Sequence, residues 1–213
     1  MDVKTWAEQG AYFALQWIKL AENSIQGFEY CLANGVKTAP NYAMIAAAFN
    51  KHFQLVDALP VPTPNKKLVD STYLQLIKKN YSGVKSVLKN PSKYFKYVTT
   101  ATADASSKTS PAYTYGGMSG SINFNGDIFK NYDAKSGSGY GPLSRAAMVL
   151  HEAIHIVDTL SGPPNHIYEH DPAYDTQRAD QAVHNASSYA SFAQHVTYSK
   201  DTRYGAGAGK TKF

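Results

Sequence analysis

VLHEAIHIVD, residues 149–158, sets two histidines four residues apart, with a glutamate directly after the first. On a helix, side chains four apart share one face, about 5–6 Å between Cβ atoms. His151 and His155 can therefore reach one ion at the usual Zn–N distance of about 2.0–2.1 Å. Glu152 is turned by about 100° from His151, poorly placed as a ligand but well placed to take a proton from a water that the metal activates. The flanks predict a helix from about Ser144, which serves as N-cap, to Leu160, with Gly162, Pro163 and Pro164 as the stop. The single cysteine, Cys31, excludes both an internal disulfide and a closed cysteine-rich metal site. The pattern implies one catalytic Zn2+ ion.

Outward from this helix, the N-terminal half reads as helical. Phe13, Trp17, Ala21, Ile25, Phe28 and Leu32 recur at helical spacing over 3–33, and Gly35 stops the run. Further helices are predicted at 42–55 and 67–89, separated by the proline-marked loop LPVPTPNKK. The texture then changes to alternating β-formers at 94–100, 112–115 and 122–129, the last interrupted near Gly126. KSGSGYGP at 135–142 reads as a flexible connection, and a last helix is predicted at 176–196. Helices, then a small mixed sheet, then two helices argue an α+β fold in one domain, residues 1–202, with a flexible glycine-rich tail at 203–213. That tail hints at a phosphate loop, but the first position of the motif falls on Tyr204 instead of glycine.

The chain has 213 residues, 43% of them hydrophobic, enough for one core. Its net charge is +5, yet the lysines scatter through 66–97 without the interleaved readers of a nucleic-acid surface, so no nucleic-acid partner is expected. No run of 18 apolar residues occurs, so no membrane span is expected. The start, MDVKTWAEQG, lacks the basic and apolar regions of a signal peptide.

A third protein ligand is needed, and PNHIYEHDPAYD offers His166, Glu169, His170, Asp171 and Asp175. A third histidine six positions after His155 is ruled out because Ser161 stands there. The residues alone leave Asp171, Glu169 and His170 open, and His166 reads more readily as a solvated loop histidine.

HEAIH at 151–155, DPAY at 171–174 and NASSYASFA at 185–193 together resemble, in order and type, the aspzincins, the deuterolysin-like and lysine-specific metalloendopeptidases. The resemblance covers roughly the last 75 residues. It implies a zincin-like fold with an active-site helix and a C-terminal helix, His151, His155 and Asp171 as zinc ligands, Glu152 as general base, and Tyr174 as the oxyanion donor. It places the substrate-side strand at SINFNGDIF, so a peptide would lie along an edge strand at 121–125, with Asn123 among its contacts. Two departures stand out. YEH replaces the Gly-Thr that often precedes the aspartate. Ser187 occupies a substrate-side position where lysine-specific members carry an acid, and a serine cannot pair with an ammonium. The expectation is a monomeric zinc metalloendopeptidase acting on protein or peptide substrates, secreted or exported. The competing readings are an inactive zinc-binding interaction module and a hydrolase of a non-protein amide or cell-wall peptide.

Overall fold

The computed structural model describes residues 2–58, 65–104, 107–114, 120–130 and 141–201. Helix α1 spans Val3–Asn34; Asp2 caps it by accepting from Thr5 N at 2.8 Å, and Gly35, at φ 67°, ends it. Helix α2 spans Tyr42–His52 and α3 spans Ser71–Leu88, the latter capped by Asp70. The predicted starts and ends shift because Leu55–Val56 (β1) and Lys67–Leu68 (β2) leave the helices to form a short parallel pair. A turn of helix, α4 (Pro91–Tyr94), leads into β3 (Phe95–Val98), followed by β4 (Ala112–Thr114) and β5 (Ile122–Asn125). Gly126 does interrupt the third strand: Gly126–Phe129 forms a helical turn, α5.

The sheet order is β3-β5-β4, with β5 parallel to β3 and antiparallel to β4. The sheet is mixed, as predicted. However, β5 lies at its centre with both edges hydrogen-bonded, so the strand at 121–125 cannot accept a peptide along an edge. All four of its residues are buried, Asn123 included. Asn123 spends its amide on the carbonyls of Tyr113 and Ser121 at 3.5 Å. Among the described residues the strand with an unpaired edge on the metal side is β4, which packs on the helix carrying HEAIH.

That helix, α6, spans Gly141–Val157. It begins three residues before Ser144, which is therefore internal and not the N-cap. It ends before Leu160 because Asp158 closes a turn, accepting Leu160 N on Oδ1 at 3.0 Å and Ser161 N on its carbonyl at 3.1 Å. Ala146, Ala147, Met148, Val149, Leu150, Ala153 and Ile154 are all buried, so α6 is apolar nearly all round and sits in the middle of the molecule. It packs on α1, α3 and the C-terminal helix. Close approach needs small residues: a Cβ on Gly10 of α1 would meet Val149 Cγ2 at 3.1 Å, and one on Gly83 of α3 would meet Val157 Cγ1 at 2.9 Å.

After α6, a loop leads to a 3-10 turn at Pro172–Thr176, then α7 (Ala179–Ala182) and α8 (Ala186–Tyr198). The predicted single helix at 176–196 breaks because Asn185 caps α8, accepting Ser187 N at 3.1 Å. Phe192 of α8 meets Phe49 at 4.8 Å and Phe53 at 5.3 Å between ring centroids, which joins α8 to α2. The connection at 135–140, the loop at 59–64 and the expected tail at 203–213 lie outside the described residues.

Candidate metal centre

His151 and His155 project from one face of α6. Their Nε2 atoms are 3.2 Å apart, and His166 Nε2 lies 3.2 Å from His151 Nε2. The ligand atoms of all three histidines fall within 4.8 Å of one another. Two nitrogens on one tetrahedral zinc, each about 2.0–2.1 Å from the ion, are about 3.3 Å apart. A ring nitrogen has a single in-plane direction for a proton or a lone pair. Two contacts of 3.2 Å onto His151 Nε2 therefore fit a shared ion better than a pair of hydrogen bonds.

The outer nitrogens fix the tautomers. Ser161 Oγ donates to the Asp158 carbonyl at 2.6 Å, so at His155 Nδ1, 2.8 Å away, it can only accept. His155 thus carries its proton on Nδ1 and offers a lone pair at Nε2. Ser187 Oγ stands 3.3 Å from His151 Nδ1 and can hold that ring in the same state. Burial depresses both imidazoles, His151 well below its usual range and His155 to about 4, with His166 adding to both shifts. Each stays neutral and able to ligate at neutral pH.

Glu152, the next residue on α6, is buried. Burial raises its carboxyl to about 7 against the opposing pull of hydrogen bonds from Thr114 of β4. Thr114 Oγ1 also donates to the Glu152 main-chain carbonyl at 3.2 Å, pinning β4 to α6. A cleft of about 280 Å³ opens here, lined by His151, Glu152, Met148, Tyr168, Glu169 and His170, with Thr109–Ala112 forming the opposite wall.

The other expected site residues lie elsewhere. Asp171 does not join the imidazole cluster: its Oδ2 accepts Tyr168 N at 3.2 Å, which closes the turn before the 3-10 helix. Glu169 and His170 line the cleft but also stand outside the cluster. Tyr174 is 0% exposed and does not line the cleft; its hydroxyl is 3.1 Å from His52 Nδ1. Ser187 is 1% exposed and faces His151 rather than a substrate.

Sequence reasoning missed the parts that hold the loop over α6. Asn185, fully buried, donates from Nδ2 to Ile167 O at 2.7 Å and to Gln177 Oε1 at 2.9 Å, tying the segment that carries His166 and Tyr168 to α8. Asp158, at the end of α6, accepts from Asn80 Nδ2 at 3.1 Å and pairs with His184 Nδ1 at 2.9 Å. Only Asn185 carried a signal, as the first residue of NASSYASFA.

The profile of the family described as lysine-specific metallo-endopeptidase, the aspzincins, matches residues 67–194. A zinc peptidase from Grifola frondosa shares the fold, with a TM-score of 0.55 at 17% identity over 90% of this chain and 94% of that one. No curated protein matches. Family and imidazole cluster define a zinc-dependent metallopeptidase. The chain belongs to the aspzincin family of metallo-endopeptidases: it is a zinc metalloendopeptidase, a hydrolase whose substrates are proteins or peptides. No helix among its described residues is long and apolar enough to cross a membrane.

Proposed function

We propose that the chain cleaves peptide bonds in the cleft between α6 and β4, with His151, His155 and His166 holding the zinc ion and Glu152 as general base. The convergence of three Nε2 atoms beside a buried carboxylate carries this reading. On this reading His166 takes the position expected for Asp171, and Asp171 shapes the loop. When bound, zinc polarises the scissile carbonyl and lowers the pKa of the attacking water.

The protein's own groups do the rest. A peptide adds antiparallel to the edge of β4 at Ala112–Thr114, its main chain pairing with that strand. This moves the substrate strand from 121–125 to the neighbouring one. Glu152 takes the proton of the attacking water and delivers it to the leaving nitrogen, and burial, which raises this carboxyl above its ordinary range, favours its holding the proton between the two transfers. Asn123 and Ser187 support the sheet and His151 rather than the substrate. Ser187, uncharged and turned away from the cleft, gives no basis for lysine selection at that position.

The test compares zinc-loaded wild type with Glu152→Gln on unfolded casein, with zinc content measured for both. The expected result is about one zinc per chain in each and cleavage by wild type alone. A Glu152→Gln variant that still cuts removes the general-base assignment. A wild type that holds zinc and cuts nothing favours an interaction module or a narrow-substrate amide hydrolase.

A further inference from the structure

Among the described residues one other group of side chains brings metal-ligating atoms together, and none of its members lines the cleft: His52, His195 and Asp201. His52 Nε2 is 3.0 Å from His195 Nδ1, with the two rings nearly perpendicular at 83°. An Asp201 carboxylate oxygen lies within 4.8 Å of the ligand atoms of both histidines. His52 is the last residue of α2, His195 stands in the last turn of α8, and Asp201 follows that helix. Histidines 143 residues apart in the chain thus meet at one point.

Two imidazoles at 3.0 Å also satisfy a plain hydrogen bond. Three features go beyond one. The first is the carboxylate. A hydrogen bond between two neutral rings needs no third group, whereas two imidazoles and a carboxylate make a ligand set for zinc and like divalent ions. The second is the field. Both helices end here, so the negative ends of two helix dipoles face the pair and favour a positive charge. Lys51, a cation that acts on His195, is held on Asp175 at 2.8 Å. The third is protonation. Burial lowers His195, so the ring is neutral and does not supply that positive charge itself. With the His52 proton on Nδ1, donating to the Tyr174 hydroxyl at 3.1 Å, and the His195 proton on Nε2, the lone pairs of His52 Nε2 and His195 Nδ1 face one another. Tyr174 is then the outer partner that orients a ligating imidazole. A tetrahedral zinc needs the two nitrogens about 3.3 Å apart, a parting of only about 0.3 Å.

We propose that His52, His195 and Asp201 form a second metal site, which takes Zn2+ or a like divalent ion and fastens the end of α8 to α2. Water completes the ion's shell on the side of Asp201, which is exposed. With one ligand open to solvent, this site fills after the centre on α6. Its part is structural, and it is independent of the cleft.

The test titrates Zn2+ into protein that already holds one zinc per chain, followed by calorimetry and by thermal melting. Wild type should take a second equivalent and melt at a higher temperature with it. Asp201→Asn alters an exposed side chain and should leave the fold and the first ion intact. It should weaken the second event at least about 10-fold, the lower end of what losing even an outer partner costs. His195→Gln should lose the second event and keep the first. His166→Ala, titrated in the same way, should bind at the second site with wild-type affinity whatever becomes of the first ion, which keeps this proposal apart from the reading of the centre on α6. Absence of a second event below about 1 mM zinc overturns the proposal. So does a second event of unchanged affinity in either Asp201→Asn or His195→Gln.

Discussion

Ser161→Ala isolates the tautomer lock of the metal centre. The serine hydroxyl sits between two buried groups, accepting from His155 Nδ1 at 2.8 Å and donating to Asp158 O at 2.6 Å. It is 1% exposed, so water does not readily take its place. Its loss frees the His155 proton to move to Nε2, the atom that faces the ion, and lets the ring turn. Loss of such an outer partner typically costs about 10–100-fold in metal affinity, or about 1.4–2.8 kcal/mol. A further cost of about 1–3 kcal/mol falls on the fold, because the His155 Nδ1–H loses its acceptor; the Asp158 carbonyl keeps the main-chain N–H of residue 161. The assay is competitive zinc chelation at pH 7.5, with melting temperatures measured with and without metal. Because part of the loss is specific to the metal, the stabilisation that zinc confers should shrink, beyond any drop in the metal-free melting point. Ser161→Thr, which retains a hydroxyl, should recover most of the affinity. Zinc binding by Ser161→Ala within about threefold of wild type would refute the lock.

Four further outcomes follow from the same geometry. His166→Ala should lower zinc affinity far more than Asp171→Ala, read by zinc content after dialysis; equal losses would return Asp171 to the metal. Asn185→Ala removes a helix cap and the clamp on Ile167, and should cost about 1–2 kcal/mol in urea denaturation as well as weakening zinc binding. Gly83→Ala drives a methyl group to 2.9 Å from the stiff Val157 side chain and should cost about 1–3 kcal/mol, recovered in part by Val157→Ala. The metal-free protein should show two opposed pH effects in chemical denaturation. Glu152, raised from 4.5 to about 7, contributes stability that is fully present below 4.5 and lost as pH rises through 7, about 3 kcal/mol in all. His155, lowered from 6.5 to about 4, contributes stability present above 6.5 and lost as pH falls through 4, by up to a similar amount. Zinc should stabilise the protein progressively more from pH 5 to 8, and a flat difference would count against both assignments.

What could be read from sequence was what short-range periodicity encodes. The i, i+4 pair of α6 and its apolar surround required only helix geometry, and both stand in the structure. The α+β order followed from texture. Strand order did not, because alternation in INFN reads the same at an edge and at a centre. The decisive fact, that Asn123 and Asn125 are buried, depends on partners ten or more residues away, such as Tyr113 and Thr100. His166 had only its place in the window after the metal helix as a signal, and nothing local set it above its neighbours. It sits in a loop with no period, and its approach to His151 depends on Asn185 gripping Ile167 from a helix 18 residues further on.

That dependence explains why the loop departs from the family pattern at YEH without losing the metal cluster. A loop that offers Asp171 to the ion must leave its carboxylate free. Here that carboxylate closes a turn on Tyr168, and the same turn brings His166 and Tyr168 against His151. With the ligand set proposed here, three neutral nitrogens replace two nitrogens and a carboxylate, so the bound ion would keep one more unit of positive charge. A more positive centre polarises the carbonyl and the attacking water more strongly. It also holds the neighbouring Glu152 more firmly in its charged form, offsetting the burial that raises this group in the metal-free protein. The acidic limb of the pH–rate profile of the zinc enzyme should accordingly lie below pH 7. In a His166→Asp variant, where an anion returns to the ligand set, it should move up. A limb that stays in place on that exchange would mean His166 does not share the ion with His151 and His155.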